Sequence, residues 1–249
     1  MAAYQKMLNH ENPPALISIM LVNSETGVIQ PVAEMAKIAQ EKGVPFHCDA
    51  VQAAGRIPLN FKELGIQFMS LSAHKMAGPQ GVGCLIFCKS ENCPQFMFGG
   101  GQEMNRRAGT HNTAGIAGMG LAADIALKTL HQSTHVEKLR DGMENRLRKI
   151  TDQLTIYGAK APRVGNTSNI GLHGIDAQTQ LMALDLDGIA VSSGSACSSG
   201  AFKPSHVLRA MGANEEEARS ALRVSLGWNT TANDINQFIE SWSKLVKNN

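Results

Sequence analysis

The chain has 249 residues, 43% of them hydrophobic and 18% charged, a composition typical of a globular protein and not of a disordered one. Its formal net charge of +2 gives no strong field for nucleic acid, and it has no secretory signal, lipidation motif or apolar run of about 18 residues. Five cysteines without a C-x-x-C pair favour reduced thiols over a disulfide framework or a metal site. We therefore expect a cytoplasmic protein that binds neither nucleic acid nor a membrane.

The first half of the chain alternates short apolar runs with a helical pattern. The runs "ALISIMLV", "VPFHCDA", "IQFMSLSA" and "GVGCLIFC" predict strands, and "PVAEMAKIAQEKG" predicts a helix with Pro31 near its start and Gly43 at its end. Strands that alternate with helices indicate βαβ units. The sequence therefore predicts an α/β fold with a mostly parallel sheet, covered on both faces.

The second half begins with two predicted helices and continues as a compact α+β mixture. "HNTAGIAGMGLAADIALKTL" is a small-residue helical pattern, and "HVEKLRDGMENRLRKITDQL" is a charged amphipathic one. We predict a domain boundary near Leu130, dividing residues 1–130 from residues 131–249. The later elements are predicted as strands near Leu154–Tyr157, Ser168–Leu172 and Leu222–Leu226, and helices near Ala177–Leu186 and Asp234–Lys247.

Polar side chains follow three of the predicted strands. Asn23 follows the first, Asp49 ends the second, and His74 and Lys75 follow the third. Functional groups in parallel sheets gather at the carboxyl ends of the strands. Three such placements in succession predict a site at this edge of the sheet.

Lys75 and Asp49 form the pair that pyridoxal phosphate requires. A lysine amine holds the aldehyde of this cofactor as a Schiff base, and a carboxylate keeps the ring nitrogen protonated. Taken alone, a lysine at a strand end is more simply a surface residue. The placement of Asp49 at the end of a neighbouring predicted strand favours the cofactor site.

The other groups of the cofactor also find partners nearby. Ser72 and His74 could donate hydrogen bonds to a phosphate, and Gln52 could contact the phenolic oxygen of the ring. Each of these residues alone is equally compatible with an ordinary exposed side chain. Their proximity to Lys75 or Asp49 in the sequence favours the interpretation as cofactor ligands.

Six motifs follow one another along the chain: "VNSETGVIQP", "FHCDAVQAAGRIPLN", "SLSAHKMAGPQGVGCLIF", "GGGQEMNRRAGTHN", "VSSGSACSSG" and "ALRVSLGWNTT". In this order they resemble the cysteine desulfurases, pyridoxal-phosphate enzymes of the class V aminotransferase group. The resemblance runs from about Ala15 to the last predicted helix. It implies the transferase fold of the aspartate aminotransferase type I, with a partial large cofactor-binding domain in residues 1–130 and a small domain in residues 131–249.

The resemblance implies a role for each matching residue. Thr110 would reach the phosphate of the cofactor in the neighbouring subunit of a homodimer. Arg223 would bind the substrate carboxylate, for which the fork of a guanidinium is suited. The implied cofactor-binding residues are Asn23, Asp49, Gln52, Ser72, His74, Lys75 and Thr110; Asn23 and Arg223 would bind substrate, and Lys75 and Cys197 would be catalytic.

Cys197 lies in a Ser/Gly-rich segment that could not bury a thiol, although free cysteines are usually buried. Such a composition is typical of a flexible loop, which would let a thiol reach a substrate and then an acceptor. The resemblance implies that Cys197 takes sulfur from L-cysteine, releasing L-alanine and leaving a persulfide. The acceptor would be an iron–sulfur scaffold or another sulfur-accepting protein, including one for tRNA thiolation, and Cys197 could transiently ligate a cluster on that scaffold.

The sequence departs from the family pattern at its start. No segment before Asn23 matches the Gly/Thr-rich phosphate-binding turn of the family, and His10 has no context that matches the histidine that stacks on the ring. We therefore expect the later two-thirds of a desulfurase, as a fragment, a mis-started reading frame or one half of a split enzyme. We expect the 249 residues alone to bind pyridoxal phosphate weakly and to desulfurate poorly.

Three other functions stay open at this point. A different class V enzyme, such as a selenocysteine lyase or an aminotransferase, would share the Lys75 motif. A truncated, inactive chain could serve as a dimerisation or scaffold-binding module. A nucleotide-binding protein is the weakest alternative, because neither a P-loop motif nor a strand-placed G-x-G-x-x-G is present.

Overall fold

A computed structural model of the protein describes residues 1–10, 12–89, 93–193 and 204–247. A 3₁₀ helix, Ala73–Met76, follows the third strand directly. The strands are β1 (Ile17–Met20), β2 (Phe46–Asp49), β3 (Phe68–Ser72), β4 (Gly83–Phe87), β5 (Leu154–Tyr157), β6 (Thr167–Leu172), β7 (Ser192–Ser193) and β8 (Ala221–Ser225). The helices are α1 (Ala2–Leu8), α2 (Val32–Glu41), α3 (Gln102–Asn105), α4 (Thr113–Thr129), α5 (Ser133–Leu147), α6 (Ala177–Leu186), α7 (His206–Ala210), α8 (Glu215–Arg219) and α9 (Ala232–Lys247).

The chain forms two compact units. The first unit contains Met1–Val22 and Gln30–Leu130, and the second contains Asn23–Ile29 and His131–Asn249. The short segment Asn23–Ile29 therefore belongs to the second unit although it lies early in the sequence. No sequence pattern predicts this grouping, because it depends on contacts between distant parts of the chain.

The sheet of the first unit has the strand order β1-β2-β3-β4. The pairs β1–β2 and β2–β3 are parallel, as the alternation of apolar runs predicts, whereas β4 is antiparallel to β3. The connection from Ser72 to Gly83 is too short for the crossover that a parallel neighbour needs, which is about a dozen residues or more. The chain therefore turns back, and the sheet is mixed.

The two faces of this sheet differ in polarity. Phe46, Cys48 and Met69 are buried on one face. On the other face, His47 bridges two strands, because its Nδ1 lies 2.8 Å from Ser18 Oγ and its Nε2 lies 3.2 Å from Ser70 Oγ. Since side chains alternate along a strand, this polar face is also the face of Asp49 and Ser72.

The sheet of the second unit has the order β5-β6-β8-β7, and all its pairs are antiparallel. All six residues of β6 are buried, which makes it the central strand of this core. Helices α5, α6 and α9 supply most of the remaining core residues, with Trp242 of α9 fully buried. Among the helices of the described residues, none has the length and apolar composition needed to cross a bilayer.

Candidate active site

The carboxyl ends of β2 and β3 lie side by side, because the two strands are parallel neighbours. Asp49 is the last residue of β2 and pairs with Ser70 of β3, which continues to Ser72. The 3₁₀ helix follows at once and carries His74 and Lys75. The structure thus places the predicted amine, carboxylate and hydroxyl at one edge of one sheet, within the first unit.

The Asp49 carboxylate is half-buried and held by its own turn. The main-chain N–H of Val51 donates to Asp49 Oδ1 at 3.0 Å. Within the described residues, Oδ2 has no hydrogen-bond partner. This oxygen is available to accept a hydrogen bond from the N–H of a protonated ring nitrogen.

Ser72 and His74 form a local pair. Ser72 Oγ lies 2.7 Å from His74 Nδ1, which fixes the imidazole relative to the end of β3. His74 as a whole is exposed. A hydroxyl and an imidazole held together in this way suit a phosphate, which binds several hydrogen-bond donors at once.

Lys75 is held in place by a tightly packed helical turn. Ala77 ends the 3₁₀ helix in the left-handed conformation with φ of 60°. A Cβ added to Gly78 would lie only 2.9 Å from the Ala122 side chain of α4, so the turn packs against α4 where only glycine fits. The Lys75 amine makes no hydrogen bond or ion pair within the described part of the chain, and a Schiff base needs an amine that is free in this sense.

The remaining predicted residues of the first unit are Gln52 and Thr110. Gln52 is half-buried in the turn after β2, where Arg56 Nη1 donates to its main-chain carbonyl at 2.8 Å. Thr110 is exposed in the loop before α4. No contact in the described residues joins Thr110 to Ser72 or His74, so its contact with a second subunit stays a prediction.

These groups fit pyridoxal phosphate. The free Lys75 amine suits the aldehyde, the open oxygen of Asp49 suits the ring nitrogen, and the Ser72–His74 pair suits the phosphate. All of them come from the end of β2 and the end of β3 with its 3₁₀ helix. The chemistry of this donor set, and not one residue alone, supports the fit.

Asn23 and Arg223 belong to the second unit and form a separate cluster. Asn23 Oδ1 accepts hydrogen bonds from the main-chain N–H groups of Glu25 and Thr26, both at 3.0 Å, and from Thr26 Oγ1 at 3.1 Å. This arrangement closes a tight turn over residues 23–27, which ends at Gly27 with φ of 73°. The side chain of Asn23 thus shapes the turn that contacts Arg223.

Arg223 lies on β8, directly opposite Asn169 of β6. Its Nη1 donates to the carbonyl of Ser24 at 3.4 Å, and Asn169 Nδ2 donates to the carbonyl of Glu25 at 3.2 Å. The turn therefore rests on the two facing side chains. Arg223 is only half-buried, which leaves part of its guanidinium open to a carboxylate.

Glu25 is a charged group in this cluster that the sequence analysis did not identify. Only 8% of its surface is exposed, and Ser205 Oγ donates to its Oε2. Burial raises the pKa of the Glu25 carboxyl, although the hydrogen bond from Ser205 and the charges of His206 and Arg223 act in the opposite direction. The carboxylate thus ties the turn to the residue that caps α7.

Cys197 lies outside the described residues. Of the described cysteines, Cys48 is fully buried, and burial together with the nearby charge of Asp49 raises its pKa to about 12. Burial also raises the pKa of Cys84. Neither thiol is poised to ionise at neutral pH, as a sulfur nucleophile must.

One sequence signal could have identified Asn169. It lies in β6, a strand of six residues that are all buried, three of them polar: Thr167, Ser168 and Asn169. Polar side chains in a fully buried strand need hydrogen-bond partners, so such a run points to a polar cluster. The partner of Asn169 is the carbonyl of Glu25, which is far away in the sequence, and only the fold brings the two together.

Comparisons with known proteins agree on one family. The sequence profile of the family "Aminotransferase class-V" matches residues 1–238. A cysteine desulfurase of Enterobacter agglomerans is 43% identical over 232 residues, which cover 93% of this chain and 58% of that protein. The cysteine desulfurase NifS of Azotobacter vinelandii is 40% identical over 233 residues, again covering 93% of this chain and 58% of the relative.

A solved structure gives the same result for the fold. The NifS-like protein from Rickettsia africae superposes with a TM-score of 0.89 at 36% identity, covering 98% of this chain and 65% of that chain. The chain therefore spans less than two-thirds of the length of these relatives.

Proposed function

Because the chain belongs to the class-V aminotransferase family, we propose that it binds pyridoxal 5′-phosphate and removes sulfur from L-cysteine. Members of this family depend on that cofactor, and the α/β transferase fold predicted from the sequence is confirmed. The observation that carries the proposal is the free Lys75 amine at the same sheet edge as Asp49 and the Ser72–His74 pair. We assign cofactor binding to residues 1–130.

The residues of the first unit would hold the cofactor at four points. Lys75 would bind its aldehyde, Asp49 would keep its ring nitrogen protonated, and Ser72 and His74 would bind its phosphate. Gln52 would donate to the ring oxygen. When bound, the cofactor supplies an electron sink that weakens bonds around the substrate Cα.

The second unit would provide substrate binding and the sulfur acceptor. Arg223 would bind the L-cysteine carboxylate through its guanidinium, and Asn23 would contact substrate and ring oxygen. The Cys197 thiolate would accept the sulfur, so that cysteine is converted to alanine and the thiol to a persulfide. Burial raises the pKa of Cys48 and Cys84, which disfavours these two thiols as the acceptor.

The proposal extends to partners and location. Thr110, exposed before α4, would contact the cofactor phosphate of a second copy in a homodimer. The persulfide would pass to an iron–sulfur scaffold or another sulfur-accepting protein. A cytoplasmic location fits the uneven number of five cysteines, which favours reduced thiols.

The decisive experiment is mass spectrometry of the chain after incubation with pyridoxal phosphate and L-cysteine. After borohydride reduction, we expect the cofactor on Lys75 and, in an unreduced sample, one added sulfur on Cys197. Lys75→Ala should lose the covalent cofactor, whereas the exposed Lys37→Ala should keep it. Cys197→Ser should lose the added sulfur, and Cys84→Ser should retain it.

The result also separates desulfuration from the other functions of the family. Cofactor on Lys75 with no sulfur on Cys197 would contradict the desulfurase and favour an aminotransferase. A chain that takes up neither cofactor nor sulfur would favour a non-catalytic role.

A further inference from the structure

Asn169 and Arg223 are direct cross-strand neighbours in the sheet of the second unit. They pair in the antiparallel register of β6 and β8, so their side chains project from the same face. Directly opposite residues in such a pair have Cβ atoms about 5 Å apart. The long side chain of Arg223 and the amide of Asn169 are therefore within reach of each other.

The orientation of the Asn169 amide is determined by the turn. Asn169 is fully buried, and its Nδ2 donates to the carbonyl of Glu25 at 3.2 Å. Because a carbonyl oxygen can only accept, the nitrogen of the amide must face Glu25. The acceptor Oδ1 must then face the opposite way.

Two buried polar atoms on this facing pair of residues have no hydrogen-bond partner among the described residues. Within the described residues, Asn169 Oδ1 and Arg223 Nε are both buried and neither has a hydrogen-bond partner. One is an acceptor and the other is a donor. Buried polar groups without partners are destabilising, so a small rotation that joins these two would be favourable.

The other contacts of Arg223 leave its outer nitrogens available. Its Nη1 makes a long hydrogen bond of 3.4 Å to the Ser24 carbonyl, which uses one of two protons on that atom. The nearby carboxylate of Glu25 already accepts a hydrogen bond from Ser205 and forms no ion pair with Arg223 in the described residues. The Glu25 carboxylate therefore acts on Arg223 only through space, and the two Nη groups are not held by a direct ion pair among the described residues.

We propose that Asn169 is a positioning residue that accepts the Nε–H of Arg223 and thereby aims the two Nη groups at a substrate carboxylate. The inference deepens the proposed function, in which Arg223 binds the carboxylate of L-cysteine. Asn169 acts through Arg223 and does not touch the substrate. It links the guanidinium to the turn at residues 23–27, so the turn and the carboxylate site are set together.

The test compares two substitutions that separate the two halves of the amide. Asn169→Leu removes both donor and acceptor while keeping a side chain branched at Cγ, whereas Asn169→Asp keeps an acceptor toward Arg223 and loses the donor to Glu25. In protein labelled with ¹⁵N at arginine, the Nε–H signal of Arg223 is assigned by its loss in Arg223→Lys. We expect its hydrogen exchange to quicken about tenfold in Asn169→Leu and to stay near the wild-type rate in Asn169→Asp.

Substrate binding gives the second readout, with the cofactor bound. We expect Asn169→Leu to raise the KM for L-cysteine about tenfold with kcat changed less than about threefold. Asn169→Asp should also raise the KM, because its carboxylate competes with the substrate carboxylate for the Arg223 guanidinium, so the Nε–H exchange is the readout that distinguishes the two variants. Binding of cysteamine, which lacks the carboxylate, should be the same in all three proteins. Asn169→Ala replaces the leucine variant if thermal unfolding shows that the latter does not fold.

Two results would overturn the inference. Equal Nε–H exchange in wild type and Asn169→Leu would show that Arg223 does not use Asn169. Equally quickened Nε–H exchange in Asn169→Leu and Asn169→Asp would assign Asn169 to holding the turn through Glu25. If wild type shows no turnover, the proposed function fails, while the exchange measurement on the full chain still decides the role of Asn169.

Discussion

At the scale of single residues, Glu144 of α5 is a buried charge whose partners decide its effect on stability. Its side chain is 3% exposed, and it accepts hydrogen bonds from Arg163 at 2.8 and 2.9 Å and from Ser168 at 2.7 Å. Burial raises the pKa of Glu144, but the hydrogen bonds from Arg163 and Ser168 and the charges of Arg163 and Arg140 lower it by more. The pKa of the folded state therefore lies below its ordinary value.

We predict that Glu144→Gln lowers the free energy of unfolding by about 3 to 5 kcal/mol at neutral pH, because the 6% exposed Arg163 would lose its counter-charge. A depressed pKa stabilises the folded state above the ordinary pKa range of the carboxyl, and this contribution is lost as pH falls through the folded pKa. The difference between wild type and variant should therefore shrink toward acidic pH. Urea denaturation at a series of pH values measures both.

The matched control is Glu137→Gln on the same helix. Glu137 is 48% exposed and lies 3.4 Å from Arg140, so its loss should lower the free energy of unfolding by less than about 1 kcal/mol. Equal effects of the two substitutions would show that burial does not distinguish these ion pairs.

At the scale of elements, α9 is stabilised by its apolar stripe. Ile235, Phe238, Ile239 and Trp242 are buried along one face, which follows the helical spacing that predicts the element. Trp242 is fully enclosed and its Nε1 donates to Gln180 Oε1 at 3.4 Å. This one side chain links α9 to α6.

We predict that Trp242→Ala lowers the free energy of unfolding by about 3 to 5 kcal/mol, because it leaves a large cavity in the core of the second unit. The other tryptophan supplies the control. Trp228 is 78% exposed, and Trp228→Ala should change the free energy of unfolding by less than about 0.5 kcal/mol. Chemical denaturation followed by circular dichroism compares the two, and a larger effect at Trp228 would contradict this account of the core.

The elements also show what sequence patterns can predict. The strand Leu154–Tyr157 and the helix Ala177–Leu186 have the predicted bounds, because each carries its own local pattern. The helices α7 and α8 have five residues each, too few turns to show a period, and they were not predicted. Likewise, the antiparallel direction of β4 follows from the length of a connection and not from the composition of the strand.

The same distinction applies to the site. Asp49, Ser72, His74 and Lys75 could be predicted together because the carboxyl ends of successive parallel strands meet. By contrast, Asn169 and Glu25 are 144 positions apart and contact each other only in the folded second unit. Long-range pairs of this kind leave no local signal.

At the scale of the whole molecule, the first sheet has two edge strands that pair on one side only in the described part of the chain. Within the described residues, β1 and β4 each pair with a single strand. Apolar side chains at these strands are exposed, with Leu16 at 50%, Met20 at 43% and Leu85 at 47%. Unpaired edges with exposed apolar side chains favour pairing with another chain.

The proposed cofactor residues are also accessible to solvent. Lys75 and Asp49 are only half-buried, and His74 is exposed. Water competes with hydrogen bonds and charge pairs in such a setting, so each contact with a cofactor contributes less than it would in a closed pocket. The chain also spans only 58% of the length of its desulfurase relatives.

We therefore predict that the 249-residue chain binds pyridoxal phosphate at least about tenfold more weakly than the full-length Enterobacter agglomerans relative, measured side by side by equilibrium dialysis.

Sedimentation velocity should also show that the chain self-associates as its concentration rises, since the open edges of the first sheet can pair between copies. Adding charge at an exposed edge residue, as in Leu85→Lys, should reduce that association. Affinity equal to that of the relative, in a chain that stays monomeric, would mean that the residues at the ends of β2 and β3 hold the cofactor as firmly as the longer relative does, and that the open strands β1 and β4 do not pair between copies.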